Sequence, residues 1–233
     1  MNEINVSEEA LPINSMIDGD SHRLANALRA INTTLTARQI PADKVSELAQ
    51  TLEKLACEFA AIEAPGRARG FGVVKEDDSA AGSGFDYGSG NSLSYRPISG
   101  NCNALAVPAK YFKCRDEQGQ AFLKGKITFG AAFEGPPKLV HGGYIAAYMD
   151  EVFGMALSHS DLYVPAMTGT LKTIYRMPVP LDTELAYVAR VTGEERRKVF
   201  MHCTLKDAAG TLYAEGEAIF LKIDPAVYAL MGG

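Results

Sequence analysis

In several stretches between Ile127 and Lys222 the apolar residues of this chain recur at every second position, and in one stretch they recur every three to four. Ile127, Phe129, Ala131 and Phe133 alternate with other residues, as a strand with one buried face requires. The same period governs Leu185, Tyr187, Ala189 and Val191, then Val199, Met201, Cys203 and Leu205, and a last strand spans about Leu212 to Lys222. Asp207-Ala208-Ala209-Gly210 turns the chain between the final two and predicts a hairpin. The exception is Gly142 to Ser158, where Ile145, Met149, Val152 and Ala156 form one helical stripe. Strands joined by short loops favour an antiparallel sheet, and a lone striped helix buries its stripe only by lying across that sheet. The expected fold is α+β, one helix against a curved sheet.

The first third has helical period only. From about Asp20 to Ile40, Leu24, Leu28, Ile31 and Leu35 fall on one face. Pro41 suits the first turn of a second helix, in which Val45, Leu48, Leu52, Leu55 and Phe59 repeat the pattern until Pro65-Gly66. A helical hairpin is expected. Residues 76–100 are rich in Gly and Ser and predict a linker or a lid. The chain thus divides into a helical extension (1–75), the linker or lid (76–100) and a strand-and-helix domain (101–233).

Charge narrows the function classes. The net charge is −5, and residues 1–100 hold 9 Lys and Arg against 14 Asp and Glu, while residues 101–233 hold 14 of each. A mildly acidic chain without a basic run does not fit nucleic-acid binding. Cys57, Cys102, Cys114 and Cys203 are widely spaced with no CxxC pair, which predicts reduced thiols. The first sixteen residues lack a basic region followed by an apolar core, and no apolar run is long enough to span a bilayer. A cytoplasmic protein without membrane insertion is expected.

Chemistry concentrates at the start of the central helix. Pro136-Pro137-Lys138-Leu139-Val140-His141-Gly142-Gly143 leads into a first turn whose unpaired N–H groups can hold an anion or a developing oxyanion, and the two glycines permit close approach. At about 100° per residue, Asp150 points about 140° from Ile145 and within about 20° of Gly143, on a face with Ala147 and Gly154. A helical Asp among such small neighbours is either solvated or closely approached by a ligand or a second subunit. His141 is either a base or an orienting group. His22, His141, His159 and His202 show no metal-ligand spacing, and no metal is expected. No GxSxG elbow, GxGxxG or GxxxxGK[ST] occurs, and His202 and Cys203 point to opposite faces of their strand.

Residues 133–156, FEGPPKLVHGGYIAAYMDEVFGMA, resemble the signature of hotdog-fold acyl-CoA thioesterases of the HGG type, within the 4-hydroxybenzoyl-CoA thioesterase superfamily. That group holds the phenylacetate-pathway thioesterases and the mammalian thioesterase superfamily members. Met167 to Leu171, Tyr175 to Leu181 and Leu212 to Gly216 follow the pattern of its C-terminal strands, so the resemblance covers roughly residues 96–233. It implies a hotdog fold, with a long central helix wrapped by a curved antiparallel sheet, and an N-terminal helical extension outside the family domain.

The resemblance further implies hydrolysis of acyl-CoA thioesters to free acid and coenzyme A. The family's carboxylate, nine residues after the His of HGG, falls on Asp150; its oxyanion-donating N–H falls on Gly142; a strand hydroxyl near the carboxylate falls on Thr168, which a plain strand-former would equally explain. Some relatives carry Asn or Gln six residues before that His, where this chain has Gly135. Glu151 is a fallback base on another face. With Gly143 beside the thioester, Arg196, Arg197 and Lys198 either contact CoA phosphates or form solvated surface. No cofactor is expected, CoA being part of the substrate, and the partner is a second copy, as a homodimer or dimer of dimers. A hotdog hydratase fits poorly, since its His five residues after the Asp is Met155 here; a non-catalytic acyl-CoA or fatty-acyl binding regulator is the alternative.

Overall fold

The computed structural model describes residues 19–64, 94–162, 164–224 and 227. Two helices, α1 (Gly19–Ala37) and α2 (Ala42–Ala60), precede β1 (Ala109–Arg115), β2 (Ala121–Thr128), a 3-10 turn (Ala131–Phe133) and the central helix α3 (Gly142–Ser158). Then follow β3 (Ala166–Tyr175), β4 (Glu184–Glu195), β5 (Lys198–Asp207) and β6 (Leu212–Lys222). The six strands form one sheet in the order β1-β2-β4-β5-β6-β3, and every neighbouring pair is antiparallel. With α3 packed across it, this is the hotdog fold.

The core is the seam between α3 and the concave face of the sheet. Ile145, Met149, Val152 and Ala156 are buried as their stripe requires, joined by Tyr148, Phe153 and Leu157. From the sheet they meet Leu123, Tyr187, Ala189, Val199, Cys203 and Leu205, all almost inaccessible to solvent. On β4, β5 and β6 buried residues alternate with less buried ones. Gly216 on β6 lies under α3 where a Cβ would sit 2.9 Å from Met149 Sδ and 3.1 Å from the Phe153 ring, so only glycine lets the helix lie this close. The buried Tyr148 hydroxyl donates to the Val107 carbonyl at 2.6 Å and Tyr187 to that of Ile145 at 3.3 Å; burial pushes both hydroxyls up from their usual range, keeping them neutral donors.

The first expected strand is shifted. β2 ends at Thr128; Gly130 leads into the 3-10 turn, and Phe129 gives its carbonyl to the N–H of Asp182. The alternation ran on because Phe129 and Phe133 still stack edge to face, with centroids 6.0 Å apart, after the backbone has left the sheet.

The extension forms both expected helices but not the hairpin. α1 docks through Ala25 and through Arg29, whose guanidinium donates to the carbonyls of Asn103 at 2.6 Å and Asn101 at 3.0 Å, and it lies against the 3-10 turn. α1 and α2 do not pack along their lengths. Leu24, Leu28, Ile31 and Leu35, and on α2 Val45, Leu48, Leu55 and Phe59, are 38% to 56% exposed. Most of the expected linker or lid, residues 76–93, lies outside the described residues, and residues 94–100 turn back onto α3.

Candidate active site

The loop before α3 is pinned on both sides. Glu134 bridges Val140 and Leu139 bridges Pro180, while the His141 N–H donates to the Phe133 carbonyl and that of Val140 to Val179. Lys138, at φ 64°, closes the turn by donating its N–H to Glu134 Oε1. Gly135 faces His141 so closely that a Cβ there would lie 2.8 Å from His141 Cα. The position where relatives hold an Asn or Gln therefore has no room for a side chain.

His141 is the N-cap of α3. Its Nδ1 accepts from the Gly143 N–H at 3.0 Å, which leaves the proton of the neutral ring on Nε2. The Gly142 carbonyl accepts from the Tyr175 hydroxyl at 2.8 Å. The peptide between Gly142 and Gly143 is thus held at both ends. The Tyr175 ring rests on Gly142, where a Cβ would come within 3.3 Å of it. Among the described residues the Gly142 N–H has no acceptor, so the first turn presents one free, oriented donor.

Two turns along, half-buried Asp150 accepts through Oδ1 from Thr168 Oγ1 at 2.9 Å. The β3 register shifts between Thr168 and Thr170, a bulge directly beside this contact, of the kind that re-aims side chains next to functional sites. Beside Asp150, Gly154 opens onto free space. Glu151 is committed elsewhere: its Oε1 accepts from the buried Ser99 hydroxyl and lies 3.4 Å from the Arg96 guanidinium, tying residues 94–103 to the opposite face of α3. That occupation argues against it as a fallback base.

Arg196, at φ 54°, and Arg197 form the two-residue turn between β4 and β5, with Lys198 opening β5. All three are exposed, and Arg197 spans to the Lys222 carbonyl at 3.4 Å. Through Leu221 of β6 this turn is level with Met167, whereas Gly142 is level with Tyr175 at the far end of β3, about 26 Å away. One chain therefore brings Asp150 with Thr168, and His141 with Gly142 and Gly143, but keeps the basic turn away from the helix start. In the sequence Tyr175 stood out only as the first residue of the Tyr175 to Leu181 stretch that carries part of the resemblance, with no role of its own. Among the described residues no three His, Cys, Asp or Glu are grouped to hold a metal, and no helix is long and apolar enough to cross a membrane.

A carboxylate and a free helix-terminal N–H on the spine of a hotdog fold define a class of site that can handle an activated carbonyl. Residues 138–214 match the thioesterase superfamily. The chain is 35% identical over 97 residues to the protein named acyl-coenzyme A thioesterase THEM4 of Mus musculus, covering 41% of each. It is 30% identical over 115 residues to the protein of that name from Bos taurus, covering 49% of this chain and 45% of that one. It thus spans less than half the length of these relatives. A solved structure described as a thioesterase superfamily protein overlays with a TM-score of 0.68 at 23% identity, covering 91% of this chain and 93% of that chain, so the two share a fold.

Proposed function

We propose that this protein hydrolyses acyl-CoA thioesters to the free acid and coenzyme A, with Asp150 as general base or nucleophile and the Gly142 N–H as oxyanion donor. The observation that carries the reading is the pairing of a half-open, hydroxyl-held carboxylate with a helix start whose first N–H is unoccupied. As base, Asp150 takes a proton from water while the water oxygen bonds to the thioester carbon. The oxyanion rests on the Gly142 N–H, and collapse breaks the C–S bond and releases CoA thiolate, which takes up the proton. As nucleophile, Asp150 displaces the thiolate to form an acyl anhydride that water then opens. Thr168 orients Asp150 in either route. His141 and Tyr175 are positioning residues that fix the peptide beside the donor.

Eight residues separate Gly142 from Asp150, and at about 1.5 Å rise per residue they lie about 12 Å apart along the axis. A nucleophile and an oxyanion donor must both sit about 3 Å from neighbouring atoms of one carbonyl. A single chain cannot meet that requirement. The reading therefore includes a homodimer, alone or as a dimer of dimers, in which Gly142 of the partner subunit faces Asp150. The free edge of β3, exposed over Met167 to Thr170, supports it. In that assembly Gly143 flanks the thioester, and Arg196, Arg197 and Lys198, at the Asp150 end of the sheet, meet the CoA phosphates. The cytoplasm is the proposed compartment, supported by cysteines spaced without pairs.

The test is thiol release from short, medium, long and aromatic acyl-CoAs by the wild type and Asp150→Ala. A kcat at least about 100-fold lower in the variant is expected. Binding of acyl-CoA without turnover by the wild type would favour the regulator reading, and an active variant would remove Asp150 from its role.

A further inference from the structure

α1 and α2 each run 19 residues, and each carries an apolar stripe along its length that stays largely exposed, with no cover among the described residues. On α1 the docked face and the apolar face are different. Ala25 is buried and Arg29 reaches the carbonyls of Asn101 and Asn103, whereas the stripe of Leu24, Leu28, Ile31 and Leu35 is centred about 110° around the helix. α2 buries no residue at all. Most helical stability in proteins comes from packing an amphipathic face rather than from intrinsic propensity. Both helices therefore call for a partner.

We propose that these stripes form an interface between copies of the chain, in which α1 of one copy lies along α2 of its partner and the reverse, a two-fold contact of four helices. Three observations select this occupant. Both stripes are of similar length and built of Leu, Ile and Val with one Phe, the side chains that helix-on-helix packing uses. The charges also discriminate: with Arg29 held by the Asn101 and Asn103 carbonyls, α1 is left with Arg23 paired to Asp20, net 0, while α2 carries Asp43, Glu47, Glu53 and Glu58 against Lys44 and Lys54, net −2, so α2 on α2 would bring like charges together. That difference favours α1 on α2 over α2 on α2. An acidic α2 also disfavours the anionic lipid surface that basic amphipathic helices seek. Each stripe offers several hundred Å², so the reciprocal contact buries on the order of 1,000 Å², the lower range for specific association.

The test is molar mass by light scattering and dissociation by sedimentation velocity, for the full chain and for Leu28→Gln (α1) and Leu48→Gln (α2), each alone. Gln matches Leu in helix propensity to within a few tenths of a kcal/mol, so the helices survive the change. The wild type is expected at a multiple of 25.0 kDa. Either substitution should lower the mass to the next smaller state or raise the dissociation constant at least tenfold, with the unfolding midpoint of the sheet domain unchanged. A variant that lowers that midpoint is replaced by Ile31→Gln or Leu55→Gln. A monomeric wild type, an unchanged mass and dissociation constant in both variants, or an effect confined to one helix would overturn the proposal; flotation of the monomer with phosphatidylserine vesicles would assign the stripes to a membrane and overturn it too. A monomeric wild type would also remove the dimer of the thioesterase reading, whereas the effects of the helix substitutions bear on this interface alone.

Discussion

α3 and the pair α1 and α2 carry apolar stripes of the same period, yet the stripe of α3 is sealed and those of α1 and α2 are open. The difference lies in what each helix meets. α3 crosses a sheet whose inner face is apolar along β2, β4, β5 and β6, and Gly216 removes the side chain that would hold it off. α1 meets two loop carbonyls and a 3-10 turn, which its arginine satisfies and its leucines do not. Periodicity thus reports that a helix has an apolar face without reporting which surface takes it.

The comparison breaks most directly by truncation. Phe153→Ala, at a fully buried position of α3, should cost about 3–5 kcal/mol of unfolding free energy in a denaturant titration, and Leu28→Ala about 0.5 kcal/mol or less at concentrations where the chain is monomeric. Equal costs would show that α1 is sealed within one chain. Adding one methyl at the α3 contact probes the same seam from the other side: Gly216→Ala pushes a Cβ toward Met149 and Phe153 and should cost about 1–3 kcal/mol by the same titration.

At the start of α3, Tyr175→Phe removes only the hydroxyl held by the Gly142 carbonyl. One hydrogen bond of about 1–1.5 kcal/mol corresponds to a kcat lower by about tenfold. KM and the unfolding midpoint should be unchanged; a fall in stability with intact kcat would make the contact purely structural. The smallest effect is chemical. A thiol reagent should label Cys57 on α2 in the native chain, while Cys102, Cys114 and Cys203 wait for denaturation, since they are buried and burial pushes the Cys114 and Cys203 thiols up from their usual range. Four fast-reacting thiols in the native chain would mean that the sheet domain is as open as the extension.

The legible parts of the sequence are those where side-chain period and backbone period coincide. α3 and β4 to β6 meet this condition, and so does the Gly142-to-Asp150 spacing, which depends only on helix geometry. β1 failed it because its buried positions, Ala109, Tyr111 and Cys114, change phase midway. β3 failed it because an edge strand exposed over Met167 to Thr170 has no inner face there to alternate. The run Ile127 to Phe133 misled in the opposite direction, its aromatic contact outlasting the strand. Asp150 could be found along one helix, but its hydrogen bond to Thr168 spans two elements, and so does that of Tyr175 to Gly142; such pairings exist only once the chain has folded. The open helices were legible as helices, and their missing partner was not.

The bulge of β3 has a consequence for how the chain behaves when crowded. Its register shift between Thr168 and Thr170 cuts the open edge into a short run at Ala166 to Thr168 and a longer one at Thr170 to Tyr175. A passing strand of arbitrary sequence finds no long flat template there, and any ladder that does form along the longer run can slide only by breaking against the bulge. In a chain not yet paired with a second copy, the bulge beside the carboxylate thus doubles as a guard against promiscuous β-aggregation along this edge of the sheet.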